Sequence, residues 1–162
     1  MSKLILMVGI PGSGKSTWVK NHLTEDDVVV SRDEVRFSII GENDEYFSKE
    51  NQVFAEFCRQ INENLKAGKN VFADATHLNE LSRRKLLNGV RGYKELEAVV
   101  LSTVCEEALK RNSNRKGTRS FVPESAIKRM SSQFVFPDLS EGFSTIYSIT
   151  PDEPIVVVKG VK

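Results

Sequence analysis

Residues 9–16 carry the sequence feature that most limits how this chain can fold. They read Gly-Ile-Pro-Gly-Ser-Gly-Lys-Ser and match the pattern G-x-x-x-x-G-K-[ST] at every fixed position. A nearly apolar run, residues 3–8, precedes them, and a helical pattern follows over about residues 14–22. A buried strand, a glycine-rich turn and a helix form the setting that a phosphate-binding loop requires. The sequence therefore predicts an α/β fold built around a nucleotide-phosphate site.

The residue types of this loop predict separate roles in binding a nucleotide. The glycines let backbone N–H groups point into one concavity, and the positive end of the following helix faces the same place. Lys15 is expected on the solvent side, reaching the β- and γ-phosphates, and the Ser16 hydroxyl is expected to help hold Mg²⁺. A glycine turn that binds nothing would need neither residue. The expected ligands are ATP and Mg²⁺, and the expected nucleotide-binding residues are Gly12, Ser13, Gly14, Lys15, Ser16 and Thr17.

Apolar runs alternate with helical patterns along the rest of the chain. This alternation is typical of a mainly parallel sheet flanked by helices. Pro123 is expected in the first turn of a late helix. Ligands of such sheets bind at the carboxyl ends of the strands, so functional residues are expected there. Further strands are predicted near residues 28–31, 70–74 and 96–101 and twice within 143–161, and helices near 49–67, 81–90, from 105 and 123–134.

Length and charge narrow the possible functions. The 162 residues fit one domain. The net charge of +1 creates no global attraction to nucleic acid, so polyanion binding would require a local basic patch. Cys58 and Cys105 belong to no metal or redox motif. No basic leader and no apolar run of membrane-spanning length are evident, so a cytoplasmic protein without a membrane partner is expected.

Two aspartates follow predicted strands and therefore lie at the edge that carries the phosphate loop. Asp33 comes just after residues 28–31. It could accept the proton of a hydroxyl that attacks the γ-phosphate, or it could only cap the next helix. Asp74 ends the strand at residues 70–74 and suits the acid that organises Mg²⁺ and its water, with a turn cap as the alternative. The neighbouring phosphate loop favours the functional interpretation of both.

Other side chains follow the same strand ends. Arg36, one helical turn beyond Asp33, could grip a substrate phosphate or lie in solvent. Thr76 and His77 follow Asp74 in a loop. His77 could contact substrate, but a lone loop histidine is more often exposed, and exposure is the expectation here. None of these patterns resembles a zinc site, since neither histidine has a cysteine partner.

Residues 110–119 form the densest basic stretch of the chain. Most charge runs are solvated surface turns. A late position in the sequence also suits a mobile lid, over about residues 110–122, whose arginines close over the transferring phosphate. Arg111 and Arg115 are one helical turn apart, so both could face the site.

Several sequence blocks occur together in a distinctive order. Gly-Lys-Ser-Thr-Trp stands at residues 14–18, Arg-Asp-Glu-Val-Arg at 32–36, Thr-His-Leu-Asn at 76–79 and Lys-Arg-Asn-Ser-Asn-Arg at 110–115. Arg83, Arg84, Val122-Pro123 and Met130 lie at matching places between and after them. Over residues 3–154 the chain resembles the kinase domain of bacteriophage polynucleotide 5′-kinase/3′-phosphatases. The resemblance implies an adenylate-kinase-like P-loop NTPase fold, with a parallel sheet flanked by helices, a basic lid and a tunnel-like acceptor path.

The resemblance also implies a reaction and residue roles. ATP would phosphorylate the 5′-hydroxyl end of DNA or RNA. The implied roles are Lys15, Asp33 and Arg115 in catalysis, Arg111 at the nucleotide, Arg36 and Thr76 at the acceptor, and Ser16 and Asp74 at the metal.

Two departures from the family pattern matter. The family has Asp directly before Thr, whereas Ala75 separates Asp74 from Thr76 here. The Asp-x-Asp-x-Thr motif of the phosphatase domain is absent from the sequence. The expectation is therefore a single kinase domain over residues 1–162, without 3′-phosphatase activity.

Two other functions remain open from the sequence. A kinase of a small molecule, such as a nucleoside, sugar or antibiotic, would use Lys15, Ser16 and Asp33 without a basic groove. The near-neutral net charge favours it, and the basic stretch at residues 110–119 argues against it. A nucleotide-dependent switch with slow hydrolysis would need a protein partner, and the lack of a partner domain weighs against that alternative.

Overall fold

The computed structural model describes residues 2–150 and 155–160, in which helices and strands alternate along the chain. The elements are β1 (Lys3–Val8), α1 (Lys15–His22), β2 (Asp27–Ser31), α2 (Arg32–Ile39), α3 (Glu50–Lys66), β3 (Asn70–Asp74), α4 (Glu80–Gly89), β4 (Glu95–Leu101), α5 (Cys105–Ser113), α6 (Glu124–Gln133), a 3₁₀ turn (Leu139–Glu141), β5 (Thr145–Ile149) and β6 (Val156–Lys159).

The strands form one sheet in the order β2-β3-β1-β4-β5-β6. β2, β3, β1, β4 and β5 are parallel, and β6 pairs antiparallel with β5. The predicted mainly parallel sheet and the two strands of the tail are confirmed, while the expected turn between those two strands lies largely outside the described residues. β1 is flanked by β3 on one side and β4 on the other, so the chain reverses its winding at β1. A crevice forms at the carboxyl end of a strand placed in this way.

β1 is buried on both faces, as its apolar sequence requires. Leu4, Leu6 and Val8 pack on one face with residues of α3 and α4. Ile5 and Met7 pack on the other face with α1. The helix predicted near residues 49–67 is confirmed as α3, and its residues 53, 57, 61 and 65 form a buried face at helical spacing. Burial of each such side chain stabilises the fold by about 1.5–3 kcal/mol, so the phosphate loop leaves a rigid strand.

The helix caps decide between two interpretations of the aspartates. The Ser31 hydroxyl accepts the Glu34 N–H at 3.3 Å, so Ser31 rather than Asp33 caps α2. Asn79 caps α4 together with the side chain of Ser82, so Asp74 has no part in that cap. Pro123 lies at the cap position just before α6, one residue earlier than the sequence predicts. Both aspartates are therefore free for other roles.

A buried ion pair joins three separate segments behind the site. Arg83 is fully buried, and its Nε donates to Glu141 at 2.7 Å. Its Nη1 donates to the carbonyls of His77 at 2.9 Å and Val135 at 3.0 Å. This one guanidinium thereby ties α4 to the loop after β3 and to the chain after α6.

No helix among the described residues is long and apolar enough to cross a lipid bilayer.

We expect Arg83→Ala to lower the free energy of unfolding by about 3–5 kcal/mol, because it leaves Glu141 and two carbonyls buried without their donor. Arg84→Ala is the matched control. Arg84 is exposed and forms a surface ion pair with Glu80, so its loss should cost less than about 1 kcal/mol. Urea unfolding monitored by circular dichroism measures both. Equal stability of the two variants would contradict the assigned role of Arg83.

Candidate nucleotide and acceptor site

One pocket of about 280 Å³ opens at the carboxyl edge of the sheet. The phosphate loop, the ends of β2 and β3 and the turn after α5 line it. Ser13 and Arg111 lie beside the pocket, where Ser13 is buried in the loop and Arg111 donates to the Gly12 carbonyl at 3.3 Å. The other predicted site residues all line the pocket: Gly12, Gly14, Lys15, Ser16, Thr17, Asp33, Arg36, Asp74, Thr76 and Arg115.

The phosphate loop has the backbone shape that its glycines predict. Gly12 has φ +82°, and a Cβ there would lie 2.6 Å from the Ala108 carbonyl oxygen of α5. Gly14 has φ +96° directly before α1. The first bond of the helix ladder runs from Trp18 N to Gly14 O at 3.0 Å, so the N–H groups of residues 15–17 precede the ladder. Orphan N–H groups at a helix start fit an anion, and the loop therefore fits phosphate.

The expectation that Lys15 lies on the solvent side is wrong. Its side chain is buried, and Nζ donates to the carbonyls of Gly9 at 2.8 Å and Ile10 at 3.0 Å. Burial lowers the pKa of Lys15 to about 8, although the carboxylates of Asp74 and Asp33 partly oppose the shift. The ammonium is folded back onto its own loop, and a bound phosphate would restore its charge by supplying an anionic partner.

We expect ATP binding at about pH 9 to take up about one proton, because the free protein holds Lys15 mostly neutral there and phosphate returns its pKa towards the ordinary range. At about pH 7 the uptake should be close to zero. Titration calorimetry in two buffers of different ionisation enthalpy measures it. Lys20→Met, which removes an exposed lysine of the same helix, should leave the uptake intact. Binding without proton uptake at the higher pH would contradict the assignment.

Ser16 and Asp74 form the candidate metal position. The Ser16 hydroxyl donates to Oδ2 of Asp74 at 2.7 Å, and Asp74 is buried at the end of β3. Mg²⁺ binds through one or two protein oxygens and otherwise through substrate phosphates and water, so this hydroxyl and carboxylate fit it. Within the described residues, no group of three or more His, Cys, Asp or Glu side chains could hold an ion without the nucleotide. Thr76 still reaches the pocket despite the extra Ala75, and its carbonyl accepts the Gly9 N–H at 3.0 Å.

Asp33 lies in the first turn of α2 with its side chain about half exposed. Its Oδ1 accepts hydrogen bonds from Arg36 Nη1 and from the hydroxyl of Tyr46. Arg36 is only 4% exposed, so the alternative of a solvated arginine is wrong. Its Nε and Nη2 both donate to Glu50, at 3.0 and 2.9 Å. The guanidinium is thus held between two carboxylates.

Sequence reasoning missed Tyr46 and Glu50. Both line the pocket, and both reach Asp33 or Arg36 from outside α2. Tyr46 lies in the loop between α2 and α3, and Glu50 begins α3. No fixed spacing along the chain marks such a contact, because its geometry depends on the loop. The sequence offers one signal, the aromatic pair at residues 46–47 just before the helix predicted near residues 49–67.

The basic stretch is an ordered turn against the site. Asn112 is buried, and its amide exchanges hydrogen bonds with the Val122 backbone at 2.7 and 3.0 Å, which closes the turn between them. Arg115 lines the pocket, and its charge acts on Lys15. Arg119 donates to the carbonyl of Ile40, just after α2, at 3.0 Å and lies 4.8 Å from the ring of Phe37 on α2. The residues of the predicted lid therefore contact the α2 segment as well as lining the pocket.

His77 is buried, so the expectation of an exposed histidine is wrong. It has the left-handed φ of +44°, and Nδ1 lies 2.6 Å from the Met7 carbonyl oxygen. Nε2 is buried without a hydrogen-bond partner in the described part of the chain. Burial lowers the pKa of His77 to about 4. The neutral ring therefore joins the loop after β3 to the end of β1.

We expect His77 to weaken the fold in acid, since the unfolded histidine takes up a proton near pH 6.5 and the folded one does so only near pH 4. Its share of the stability is complete above pH 6.5 and falls by about 2 kcal/mol by about pH 5. His77→Asn should remove this share, because Asn keeps an N–H near Nδ1, tolerates a positive φ and does not titrate. Urea unfolding at both pH values tests this. His22→Asn, which replaces an exposed histidine, should keep the wild-type loss, and a wild-type loss in His77→Asn would contradict the assignment.

Comparison with known proteins agrees with this geometry. The AAA domain family matches residues 4–137. A protein of Acanthamoeba polyphaga mimivirus, provisionally named a bifunctional polynucleotide phosphatase/kinase, is 27% identical over 155 residues, which are 91% of this chain and 33% of that protein. A chain in the structure of the Pnkp1/Rnl/Hen1 RNA repair complex is 29% identical with a TM-score of 0.69, covering 82% of this chain and 43% of that one.

This chain therefore spans about a third of the mimivirus protein and less than half of the RNA repair chain. A sugar kinase from Janibacter sp. HTCC2649 is 17% identical with a TM-score of 0.62, over 95% of this chain and 88% of the other, and this likeness shows the fold alone. Because the family match covers most of the chain and the P-loop pocket is intact, the protein belongs to the AAA domain family as a kinase-type P-loop domain.

Proposed function

We propose that this chain is a polynucleotide 5′-hydroxyl kinase, which transfers the γ-phosphate of ATP to the 5′-hydroxyl end of DNA or RNA. One observation carries the proposal: the Asp33 carboxylate lines the same pocket as Lys15, Ser16 and Arg115. The pocket therefore combines a carboxylate that can take the proton of the acceptor hydroxyl with groups that can bind the phosphates of ATP. The names of the mimivirus and RNA repair proteins support a nucleic-acid acceptor.

The chemistry follows from these positions. The oxygen of the acceptor hydroxyl bonds to the γ-phosphorus, and Asp33 takes the proton of that hydroxyl. The bond from the γ-phosphorus to the bridging oxygen of ADP breaks at the same time. The N–H groups of the loop, Lys15 and Arg115 stabilise the charge on the transferring group. Ser16 and Asp74 would hold Mg²⁺, which neutralises phosphate charge when bound.

The mouth of the pocket suits a terminal nucleotide. Phe47 is 40% exposed beside Tyr46, and Arg32 lines the same wall. An exposed ring next to cations can stack a base and attract its phosphate without reading its sequence. Because few cations lie there, the acceptor should contact the protein through few phosphates. Its affinity should therefore fall with rising salt concentration in proportion to those few contacts.

A second candidate is a kinase of a small polyhydroxy compound. All three nitrogens of Arg36 already donate to Asp33, Tyr46 or Glu50, so few of its N–H groups remain for a substrate phosphate. Hydroxyl groups of a small acceptor could bond to Glu50 and Tyr46, which both line the pocket. This candidate would bind ATP at the same site and would use Asp33 in the same way.

Transfer of labelled γ-phosphate from ATP separates these two functions. The acceptors are a 5′-hydroxyl oligonucleotide, the same oligonucleotide already 5′-phosphorylated, a free nucleoside and a sugar acid. Label on the first alone supports the proposal, and label only on a small acceptor overturns it. We also propose that this stretch lacks 3′-phosphatase activity, so a 3′-phosphorylated oligonucleotide should keep its phosphate.

We expect Asp33→Asn to lower kcat by about 10²–10⁴, because an amide cannot accept the proton of the acceptor. The affinity for ATP should change little, and folding should persist because Ser31 caps α2. Glu34→Gln is the matched control, since it removes an exposed carboxylate from the next position of the same helix. Steady-state kinetics and a thermal melt measure these effects. A normal kcat in Asp33→Asn would reduce Asp33 to a structural role.

A further inference from the structure

Tyr46 approaches Asp33 from the loop between α2 and α3. Its hydroxyl donates to Oδ1 of Asp33, and Arg36 Nη1 donates to the Tyr46 oxygen at 2.9 Å. Because Nη1 also donates to Oδ1, the three groups form a closed ring of hydrogen bonds. Burial and the charge of Asp33 raise the pKa of Tyr46, so its hydroxyl remains a donor throughout the neutral range.

The Tyr46 ring is held from several directions. The Arg36 guanidinium lies over its face at 4.2 Å, and the rings of Phe37 and Phe47 meet it edge to face, with centroids 6.2 and 4.6 Å away. Glu50 in turn fixes Arg36 through two nitrogens. Contacts of these kinds are directional, so they define where the hydroxyl of Tyr46 can be.

This arrangement makes the two oxygens of Asp33 unequal. Oδ1 receives two donors, whereas no group among residues 2–150 and 155–160 donates to Oδ2. A carboxylate oxygen that already accepts two hydrogen bonds is a poor proton acceptor, and the other oxygen keeps its lone pairs free. The free oxygen belongs to a side chain that is about half exposed and lines the pocket.

We propose that Tyr46 is a positioning residue of the kinase reaction: with Arg36 it fixes Oδ1 of Asp33 and leaves Oδ2 to accept the proton of the acceptor hydroxyl. The inference rests on the proposed function, because it assumes that Asp33 is the acid-base group. It adds the residue that orients the carboxylate, and the way in which it does so.

Several charged groups surround Asp33, and a test has to leave them unchanged. Tyr46→Phe removes one oxygen and no charge, and it keeps the ring under Arg36. The charged groups around Asp33 in the described pocket are Arg32 and Arg36 on α2, Glu50 on α3, Lys15 on α1, Asp74 at the end of β3 and Arg115 in the lid.

We expect Tyr46→Phe to lower kcat by about 10-fold, which is the effect of losing one hydrogen bond to a charged group. The KM for ATP should stay within about twofold. Tyr147→Phe, a tyrosine of β5 beside a different pocket, should match wild type in each respect. An unchanged kcat, or a loss of kcat with an equal loss of affinity for ATP, would overturn the proposal, because a purely structural tyrosine would disturb the whole pocket rather than the transfer step alone.

A double-mutant cycle tests whether Tyr46 acts through Asp33. In the Asp33→Asn background, Tyr46→Phe should cause little further loss of residual activity, and additive losses would overturn the proposal. Carbon-13 NMR of the Asp33 carboxyl gives a readout that needs no acceptor. At a fixed neutral pH its chemical shift should change in Tyr46→Phe, because the carboxylate loses the hydrogen bond from Tyr46, and an unchanged chemical shift would overturn the inference.

The failure of the proposed function looks different from the failure of this inference. Without transfer to the oligonucleotide by wild-type protein, the polynucleotide assignment falls. The Tyr46 variant is then measured on the small acceptor that is phosphorylated and by the chemical shift of the Asp33 carboxyl. With normal transfer to the oligonucleotide by both proteins and equal chemical shifts, only the inference about Tyr46 falls.

Discussion

The parallel pairing of β1 with β3 is the constraint on which the rest of the site depends. It sets Met7 opposite Asp74, so the start of the phosphate loop and the end of the acid-bearing strand are neighbours. The hydrogen bond from Ser16 to Asp74, the bond from Gly9 N to Thr76 O and the contact of His77 with Met7 all follow from that register. A one-residue slip would turn Asp74 to the opposite face and disconnect these contacts.

Much of the donor side could be predicted from the sequence. The spacing within residues 9–16 predicts a local backbone shape. Asp74 ends one predicted strand and Asp33 follows another, and the ends of parallel strands meet at one sheet edge. Contacts within one short segment, or forced by strand order, leave a signal in the sequence.

The acceptor side could not be predicted in the same way. Tyr46 lies in a loop, and no sequence periodicity predicts the conformation of that loop. A pattern of apolar residues also gives no information on which group the Tyr46 hydroxyl contacts. The exposure of single polar residues was also misjudged. Lys15 and His77 are buried because backbone carbonyls of neighbouring turns accept their hydrogen bonds, and only the folded chain brings those carbonyls near. Burial of a polar side chain is set by its partners rather than by its own polarity.

The contact of Arg119 with α2 has a consequence for motion. The turn that carries Arg115 towards the phosphate loop also contacts the Ile40 carbonyl and the Phe37 ring, at the end of the helix that carries Asp33. Movement of this turn away from the phosphate loop must either break these contacts or carry that helix along. Under the proposed function, departure of the spent nucleotide and release of the phosphorylated acceptor would thereby be coupled through Arg119.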